Sequence, residues 1–193
     1  MELGRANLEV FADTLLEIAR SDRDVLVVTS DSRGSGKLTH YGEVLPEQII
    51  EVGIAEQNVI GISAGLASTG KKVFAVSPAC FVTARSLEHI KNDVAYSNYP
   101  VRIIGISAGV SYGALGSTHH SLHDYAALRA INNITIIAPA DNFETRETIK
   151  AIYNYNHPVY VRLGKAPQRH VHSQDSIFRI GEAAQLRDGS DLT

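Results

Sequence analysis

The sequence predicts an α/β fold with three layers, in which a mainly parallel sheet has helices on both faces. Short β-branched runs alternate with segments of helical periodicity, and the connections between them are short. A hydrophobic content of 44% with 20% charged residues is typical of a globular protein that buries a sizeable core. Right-handed crossovers would bring the C-terminal ends of the strands to one edge of the sheet, where open α/β sheets bind ligands.

The first half of the chain is predicted to contain two helices and two strands. Apolar residues at spacings of three and four predict a helix over residues 3–20. The β-branched run at residues 25–29 is typical of a strand that is buried on both faces. A second strand at residues 49–52 leads into a helix that begins near Glu56 and ends before Gly70.

The second half continues the alternation and contains one long loop. Further strands are predicted at residues 72–77, 101–106, 134–138 and 158–162, and helices at residues 82–96, 124–131 and 142–155. The loop at residues 107–123 holds three of the eight histidines. Irregular loops of this length in a compact domain are usually functional, so a site is expected there.

The chain is expected to hold one domain and part of a second. Residues 1–163 are predicted to form the α/β domain, and the polar stretch at residues 164–178 is interpreted as a linker. Residues 179–193 are interpreted as the truncated start of another unit, so we expect the chain to be a fragment of a longer product.

Composition narrows the class of protein and its location. A net charge of −3 disfavours a broad attraction to nucleic acid, and the single Cys80 excludes an internal disulfide. The apolar surroundings of Cys80 predict a buried, inert thiol. The sequence shows neither a secretory signal nor an apolar run of membrane-spanning length, which predicts a cytoplasmic protein.

Glu56 lies where a predicted strand gives way to a helix. A carboxylate is favoured in the first turn of a helix because it complements the backbone dipole, so a purely structural role would account for it. Its place on the expected strand-end edge makes a ligand contact the other interpretation. The residue type and its position leave both open.

Three motifs resemble, in order and spacing, those of the pyrimidine-binding domain of transketolases. They are Gly53-Ile54-Ala55-Glu56-Gln57-Asn58, Pro78-Ala79-Cys80-Phe81 and Gly116-Ser117-Thr118-His119-His120. The motifs are most similar to those of the C-terminal subunit of split transketolases and of deoxyxylulose-phosphate synthase. The resemblance covers residues 3–163, and it implies a thiamine diphosphate-binding fold of the pyrimidine type. Residues 181–189 resemble the start of the third transketolase domain.

The resemblance implies catalytic and cofactor-binding roles for three residues. Glu56 would hydrogen-bond the aminopyrimidine ring of thiamine diphosphate, which requires a buried carboxyl group. Phe81 resembles the aromatic residue that stacks on this ring, although a plain core residue is the alternative. His119 would lie near the reacting carbons and handle the protons of substrate hydroxyl groups.

The resemblance also implies substrate-binding residues. Asp31 lies where the family has an acid near the entrance of the active site. Arg162 resembles the arginine that contacts a substrate phosphate, a role suited to its planar fork of donors. His120 is a further substrate-binding candidate, and Arg5 would match a second phosphate-contacting arginine if an insertion is allowed. No metal ligand is expected in this chain.

The sequence departs from the family on the side of the sugar. Leu115 stands where transketolases have an acid that contacts a substrate hydroxyl, and Ser107 stands where a substrate-contacting histidine is common. Ser117 replaces the proline that precedes the motif's threonine. We therefore expect a donor other than an ordinary ketose phosphate.

The resemblance implies that this chain works with a partner. The family holds the diphosphate and its Mg²⁺ through a Gly-Asp-Gly motif on a separate domain, and this sequence has no such motif. We expect a diphosphate-binding transketolase subunit to supply both, in a homodimer or heterotetramer that transfers a two-carbon ketol unit between small sugars. Neither nucleic acid nor a membrane is an expected partner.

Two other interpretations remain open at this point. The chain could be a 2-oxoacid dehydrogenase beta-type subunit or a deoxyxylulose-phosphate synthase-like subunit, which would also use thiamine diphosphate. It could instead be a non-catalytic assembly domain, which Leu115 and Ser107 favour. Glu56 together with His119 favours an enzyme.

Overall fold

Apolar and β-branched runs form a parallel sheet at the centre of the protein. The computed structural model describes residues 2–173 and 175–190. Its strands are β1 (Leu3–Ala6), β2 (Val25–Thr29), β3 (Ile49–Glu51), β4 (Lys72–Pro78), β5 (Arg102–Ile106), β6 (Thr135–Ile137), β7 (Val159–Arg162) and β8 (Pro167–Arg169). The order β3-β2-β4-β5-β7-β6 makes a six-stranded sheet in which every neighbouring pair is parallel.

Helices cover both faces of this sheet, so the predicted three-layer α/β fold is confirmed. They are α1 (Asn7–Ala19), α2 (Thr39–Val44), α3 (Glu56–Ser68), α4 (Ala79–Arg85), α5 (Leu87–His89), α6 (Asp124–Leu128) and α7 (Asn142–Tyr153), with a π-helix at Ile90–Tyr96. One core lies between the sheet and helices α1 and α7, and a second lies between the sheet and α3, α4 and the π-helix.

Strand β4 shows why the central strands are continuous apolar runs in the sequence. Successive side chains of a strand point to opposite faces. Phe74 and Val76 therefore join the core under α1, whereas Val73 and Ala75 join the core under α3. All four are fully buried, as expected for a parallel strand that is covered on both faces. Cys80, just beyond β4, is buried as predicted, and its burial raises the pKa of the thiol.

The first predicted helix begins four residues later than expected. Residues 3–6 form β1, which pairs antiparallel with β8 in a separate two-stranded ribbon. The Asn142 side chain fixes this start, because its Oδ1 accepts the N–H of Arg5 at 2.8 Å and its Nδ2 donates to the carbonyl oxygen of Arg5 at 3.0 Å. A side chain at Gly4 would collide with Asn142, so the close approach requires glycine there. The helix predicted at residues 82–96 is also divided, into the end of α4, α5 and the π-helix.

Residues beyond β7 pack against the domain. Within the predicted linker, residues 167–169 form β8, and the Asp141 carboxylate accepts the N–H groups of Val171 and His172, each at 2.9 Å. Burial acts to raise the pKa of Asp141, but hydrogen bonds from the backbone of Glu144, His172 and Val171 outweigh it and lower the pKa. The boundaries at residues 163 and 178 stay predictions, and residues 191–193 of the last predicted segment lie outside the described residues.

Candidate functional site

The C-terminal ends of the parallel strands bring the predicted site residues to one edge of the sheet. Asp31 follows β2, Glu56 begins α3 just beyond β3, and Phe81 lies in α4 directly after β4. His119 lies in the loop after β5, and Arg162 ends β7. This edge is where ligands bind in open α/β sheets.

Glu56 is a buried carboxylate at the first position of α3. Gly53, with φ of +73°, turns the chain out of β3 in a conformation that favours glycine. The Glu56 side chain is only 4% exposed, and its Oε2 accepts a hydrogen bond of 2.9 Å from Nη1 of Arg85. The carboxyl group is therefore buried, as the resemblance requires, and it is paired with a cation that the sequence analysis missed.

Arg85 also contacts Phe81, the second predicted cofactor residue. Its guanidinium carbon lies 4.4 Å from the centroid of the Phe81 ring. The two residues are four positions apart on α4, so they share one face of the helix. That spacing is typical of a contact between Arg85 and Phe81. Nothing in the local sequence predicted that Glu56 is the partner of Arg85.

His119 packs edge-on against two aromatic rings. Its ring centroid lies 5.2 Å from that of Phe81 and 5.4 Å from that of Tyr112. Nδ1 lies 3.0 Å from Oγ1 of Thr118. Glu56, Arg85, Phe81, His119 and Tyr112 thus form a continuous chain of contacts, which we call the Glu56 cluster. His120 is oriented differently, with Nε2 at 3.3 Å from the carbonyl oxygen of Gly113.

Arg162 belongs to a second polar group, which the sequence did not predict. Its Nε donates to Oδ2 of Asp124 at 2.8 Å, and the hydroxyl of Tyr160 donates to the same oxygen at 2.8 Å. Its Nη2 donates to the carbonyl oxygen of Ser121 at 3.3 Å. Burial, followed by the neighbouring Asp124 carboxylate, raises the pKa of Tyr160 well above its usual range. Two of the donor nitrogens of Arg162 thus already bind within the chain, and its phosphate contact stays a prediction.

Asp31 and Arg5 have other partners than the Glu56 cluster. Asp31 is exposed with φ of +48°, and its N–H donates to Oε1 of Glu51 at 2.5 Å. Within the described part of the chain, no hydrogen bond or ion pair joins Asp31 to the cluster. Arg5 pairs with Asp13 at 2.8 Å and with Glu9 at 3.5 Å, beside a cavity of about 660 Å³ between β1, α7 and residues 170–173. The roles predicted for Asp31 and Arg5 remain untested.

The positions that depart from the family differ in their surroundings. Leu115 is exposed, whereas Ser107 is buried at the end of β5. Ser107 has φ of +54°, and within the described residues its hydroxyl has no hydrogen-bond partner. Backbone strain of this kind clusters at functional sites.

The Glu56 cluster has the chemistry that an aminopyrimidine requires. A buried carboxylate can accept in-plane N–H groups, and the adjacent Phe81 ring offers an apolar face for stacking. Both features already bind the planar guanidinium of Arg85, which shows that a flat cation fits them. Among residues 2–173 and 175–190, no group of three or more His, Cys, Asp or Glu side chains is arranged to hold a metal ion.

The chain is thus a parallel α/β domain that carries this cluster at its strand ends. Comparisons with known proteins specify its family. The family model for the transketolase pyrimidine-binding domain matches residues 4–169. A subunit of the apulose-4-phosphate transketolase of Phocaeicola vulgatus is 53% identical over 95% of this chain and 59% of its own length. A putative transketolase C-terminal section of Methanocaldococcus jannaschii is 38% identical over 95% of this chain and 58% of its own.

A solved structure agrees with these matches. A split-gene transketolase in an inactive β4 tetramer superposes with a TM-score of 0.85 and 32% identity, over 96% of this chain and 59% of that one. The chain belongs to the transketolase pyrimidine-binding domain family, which confirms the resemblance. It spans somewhat under three fifths of the length of the curated relatives described above. In the described part of the chain, no helix is both long and apolar enough to cross a membrane.

Proposed function

We propose that this chain binds the aminopyrimidine of thiamine diphosphate as a subunit of a transketolase-type transferase. The enzyme would transfer a two-carbon ketol unit between sugar substrates. The observation that carries the proposal is the placement of the buried Glu56 carboxylate at the start of α3, next to the ring of Phe81. Membership of the transketolase family supports it.

Each residue of the cluster has a distinct proposed task. Glu56 shares a proton with a nitrogen of the pyrimidine ring, and its burial strengthens that hydrogen bond. Phe81 covers one face of the ring, and His119, which packs against Phe81, receives and returns protons at the substrate hydroxyl groups. Thiamine diphosphate, when bound, supplies the electron sink for cleavage of the carbon–carbon bond.

The proposed substrates are sugar phosphates that differ from an ordinary ketose phosphate. Leu115 stands in place of an acid and Ser107 in place of a histidine on the sugar side, and the relative from Phocaeicola vulgatus is named for a transketolase of apulose 4-phosphate. Arg162 would contact the phosphate, and Asp31 and His120 would contact the rest of the sugar. For this contact, the Nε of Arg162 would leave Asp124 and donate to the phosphate instead.

A partner subunit completes the proposed active site. It would hold the diphosphate and Mg²⁺ in a homodimer or heterotetramer, and the assembly would work in the cytoplasm. Residues 1–163 would form the pyrimidine-binding domain, residues 164–178 its connection, and residues from 179 onward the start of a third domain. The relative from Phocaeicola vulgatus is itself named as one subunit of a transketolase, which supports a divided enzyme.

Reconstitution tests this proposal directly. The chain is mixed with a diphosphate-binding transketolase subunit, thiamine diphosphate and Mg²⁺, and both two-carbon transfer and exchange of the C2 proton of the cofactor are measured. Glu56→Gln should preserve assembly but lower the exchange rate by about 10²-fold or more, because the amide cannot share the proton. Glu88→Gln, at an exposed carboxylate of α5, is the matched control and should retain the wild-type rate.

Two results would contradict the proposal. Equal exchange rates for the wild type and Glu56→Gln would remove Glu56 from the chemistry. Absence of transfer from a mixture in which both subunits are folded and assembled would favour the non-catalytic assembly domain instead.

A further inference from the structure

Arg85 makes two contacts that coincide with those proposed for the cofactor. Its Nη1 donates to Oε2 of Glu56 at 2.9 Å, and its guanidinium carbon lies 4.4 Å from the centre of the Phe81 ring. Arg85 is the last residue of α4, and its side chain is 47% exposed. One flexible cation therefore reaches from solvent to both the carboxylate and the aromatic face.

The guanidinium resembles an aminopyrimidine in the features that this site recognises. It is planar, donates N–H groups in its plane to a carboxylate, and stacks on aromatic rings. An aminopyrimidine is also planar, carries a ring nitrogen that can share a proton in the ring plane with a carboxylate, and presents a flat face. Glu56 and Phe81 would satisfy either group in the same orientation, with the carboxylate at its edge and the ring on its face.

We propose that Arg85 is an internal pseudo-ligand that competes with the pyrimidine ring for Glu56 and Phe81. This inference rests on the proposed function. In one arrangement Arg85 pairs with Glu56, and in the other its side chain turns to solvent and the pyrimidine takes its place. The competition makes Arg85 an autoinhibitory contact. The apparent affinity for the pyrimidine is the intrinsic affinity reduced to the fraction of molecules in which Glu56 is accessible.

The position of Arg85 allows this exchange. The guanidinium is nearly half exposed and lies at the end of a helix, so it can regain its hydration without moving the backbone. Glu56 has no such freedom, because its side chain is buried. Removal of its charged partner without a replacement would destabilise the folded protein. Arg85 thus stabilises the carboxylate until another planar donor replaces it.

Binding of the pyrimidine half of the cofactor to the full chain tests this competition. The compound is 4-amino-5-hydroxymethyl-2-methylpyrimidine, which needs no diphosphate-binding partner, and binding is measured by calorimetry. Arg85→Ala and Arg85→Gln should each bind it about tenfold more tightly than the wild type, because the competing arrangement is lost. Arg23→Ala, at an exposed arginine just before β2 and thus at the opposite edge of the sheet, should bind it like the wild type.

Chemical rescue gives a second measurement that a merely structural ion pair would not produce. Methylguanidinium should raise the unfolding temperature of Arg85→Ala saturably and should displace the pyrimidine compound from it. Neither effect should occur in Arg85→Ala/Glu56→Gln, where the carboxylate is absent. The unfolding curves also show whether each variant is folded. If Arg85→Ala is not folded, the binding measurement is made with Arg85→Gln.

The outcomes separate this inference from the proposed function. Equal or weaker binding by folded Arg85 variants, together with loss of binding in Glu56→Gln, would overturn the role of Arg85 and leave the pyrimidine site intact. Failure of both the wild type and the Arg85 variants to bind the compound at millimolar concentration would overturn both. Tighter binding with guanidinium competition would support both.

Discussion

Asp22 is a single carboxylate that joins the starts of two strands to the end of a helix. Its Oδ2 accepts hydrogen bonds from Nζ of Lys72 at 2.8 Å and from the hydroxyl of Tyr153 at 2.6 Å, and its Oδ1 accepts the N–H of Asp24 at 2.9 Å. The bond from Lys72, followed by that from Tyr153, lowers the pKa of Asp22 from 3.8 to about 2. These contacts lie at the edge of the sheet opposite the Glu56 cluster.

Asp22→Asn should therefore show a pH-dependent loss of stability. A carboxyl group with a lowered pKa in the folded state stabilises the protein above its unfolded pKa, and that contribution disappears as the pH falls from 3.8 towards 2. We expect the variant to be less stable than the wild type by about 1–2 kcal/mol above pH 5, after allowance for solvent screening, and most of the difference to be lost as the pH falls to 2. Urea unfolding from pH 2 to 6 measures it, with Asp175→Asn at an exposed carboxylate as control. A difference that does not change with pH would contradict this explanation.

At the scale of elements, helix α7 is fixed at both ends by side chains. Asp141 caps its start by accepting the N–H of Glu144 at 2.9 Å. At its other end, the buried guanidinium of Arg102 donates to the carbonyl oxygens of Ile152, Tyr153 and Tyr155. Burial lowers the pKa of Arg102 to about 10. The start of β5 is thereby joined to the carbonyl groups at the end of the helix and just beyond it.

Arg102→Met should destabilise the fold strongly without altering its topology. The methionine fills a similar volume but removes the donor that serves the carbonyl oxygens of Tyr153, at the end of α7, and Tyr155, just beyond it. We expect a loss of about 2–4 kcal/mol in the free energy of unfolding, measured by denaturant titration. Arg146→Met, at an exposed position of the same helix, should change it by less than about 0.5 kcal/mol. Similar values for the two variants would show that the buried hydrogen bonds contribute little.

At the scale of the whole molecule, the two ends of the domain are joined to each other. Strand β8 pairs with β1, and His172, whose side chain is 4% exposed, lies with Nδ1 at 3.2 Å from Oδ2 of Asp141 and with Nε2 at 3.4 Å from Oε1 of Glu144. Residues 167–173 therefore stabilise the start of α1 and the start of α7 together, although the sequence predicted only a linker there.

Two shortened chains test how far the folded unit extends. A chain that ends at Leu163 lacks β8 and the donors of Val171 and His172 to Asp141, so its unfolding temperature should fall by about 5–10 °C, corresponding to about 2–3 kcal/mol. A chain of residues 1–178 keeps all of these contacts and should unfold like the full chain. Equal unfolding temperatures for both would place the end of the stable domain at residue 163, as the sequence analysis predicted.

The periodicity of the sequence predicted the parallel sheet and most of its helices, because an element's type depends on neighbours a few residues away. It failed at residues 3–6, where the helical spacing of apolar residues was outweighed by pairing with β8 and by hydrogen bonds to Asn142. It also missed that the predicted helix at residues 82–96 ends in a π-helix. Burial of Glu56 was expected from the family resemblance and was found.

The sequence by itself determined the α/β class, the family and the edge of the sheet on which the candidate site lies. The tertiary structure alone decided which charges meet there. Arg85 reaches Glu56 across 29 residues, and Arg162 reaches Asp124 across 38. Such pairs depend on how the sheet orders its strands, because strand ends distant in the chain become neighbours only when β3, β2 and β4, or β5 and β7, lie side by side. No local pattern records that order, so the contact that defines the candidate site appears only in the folded protein.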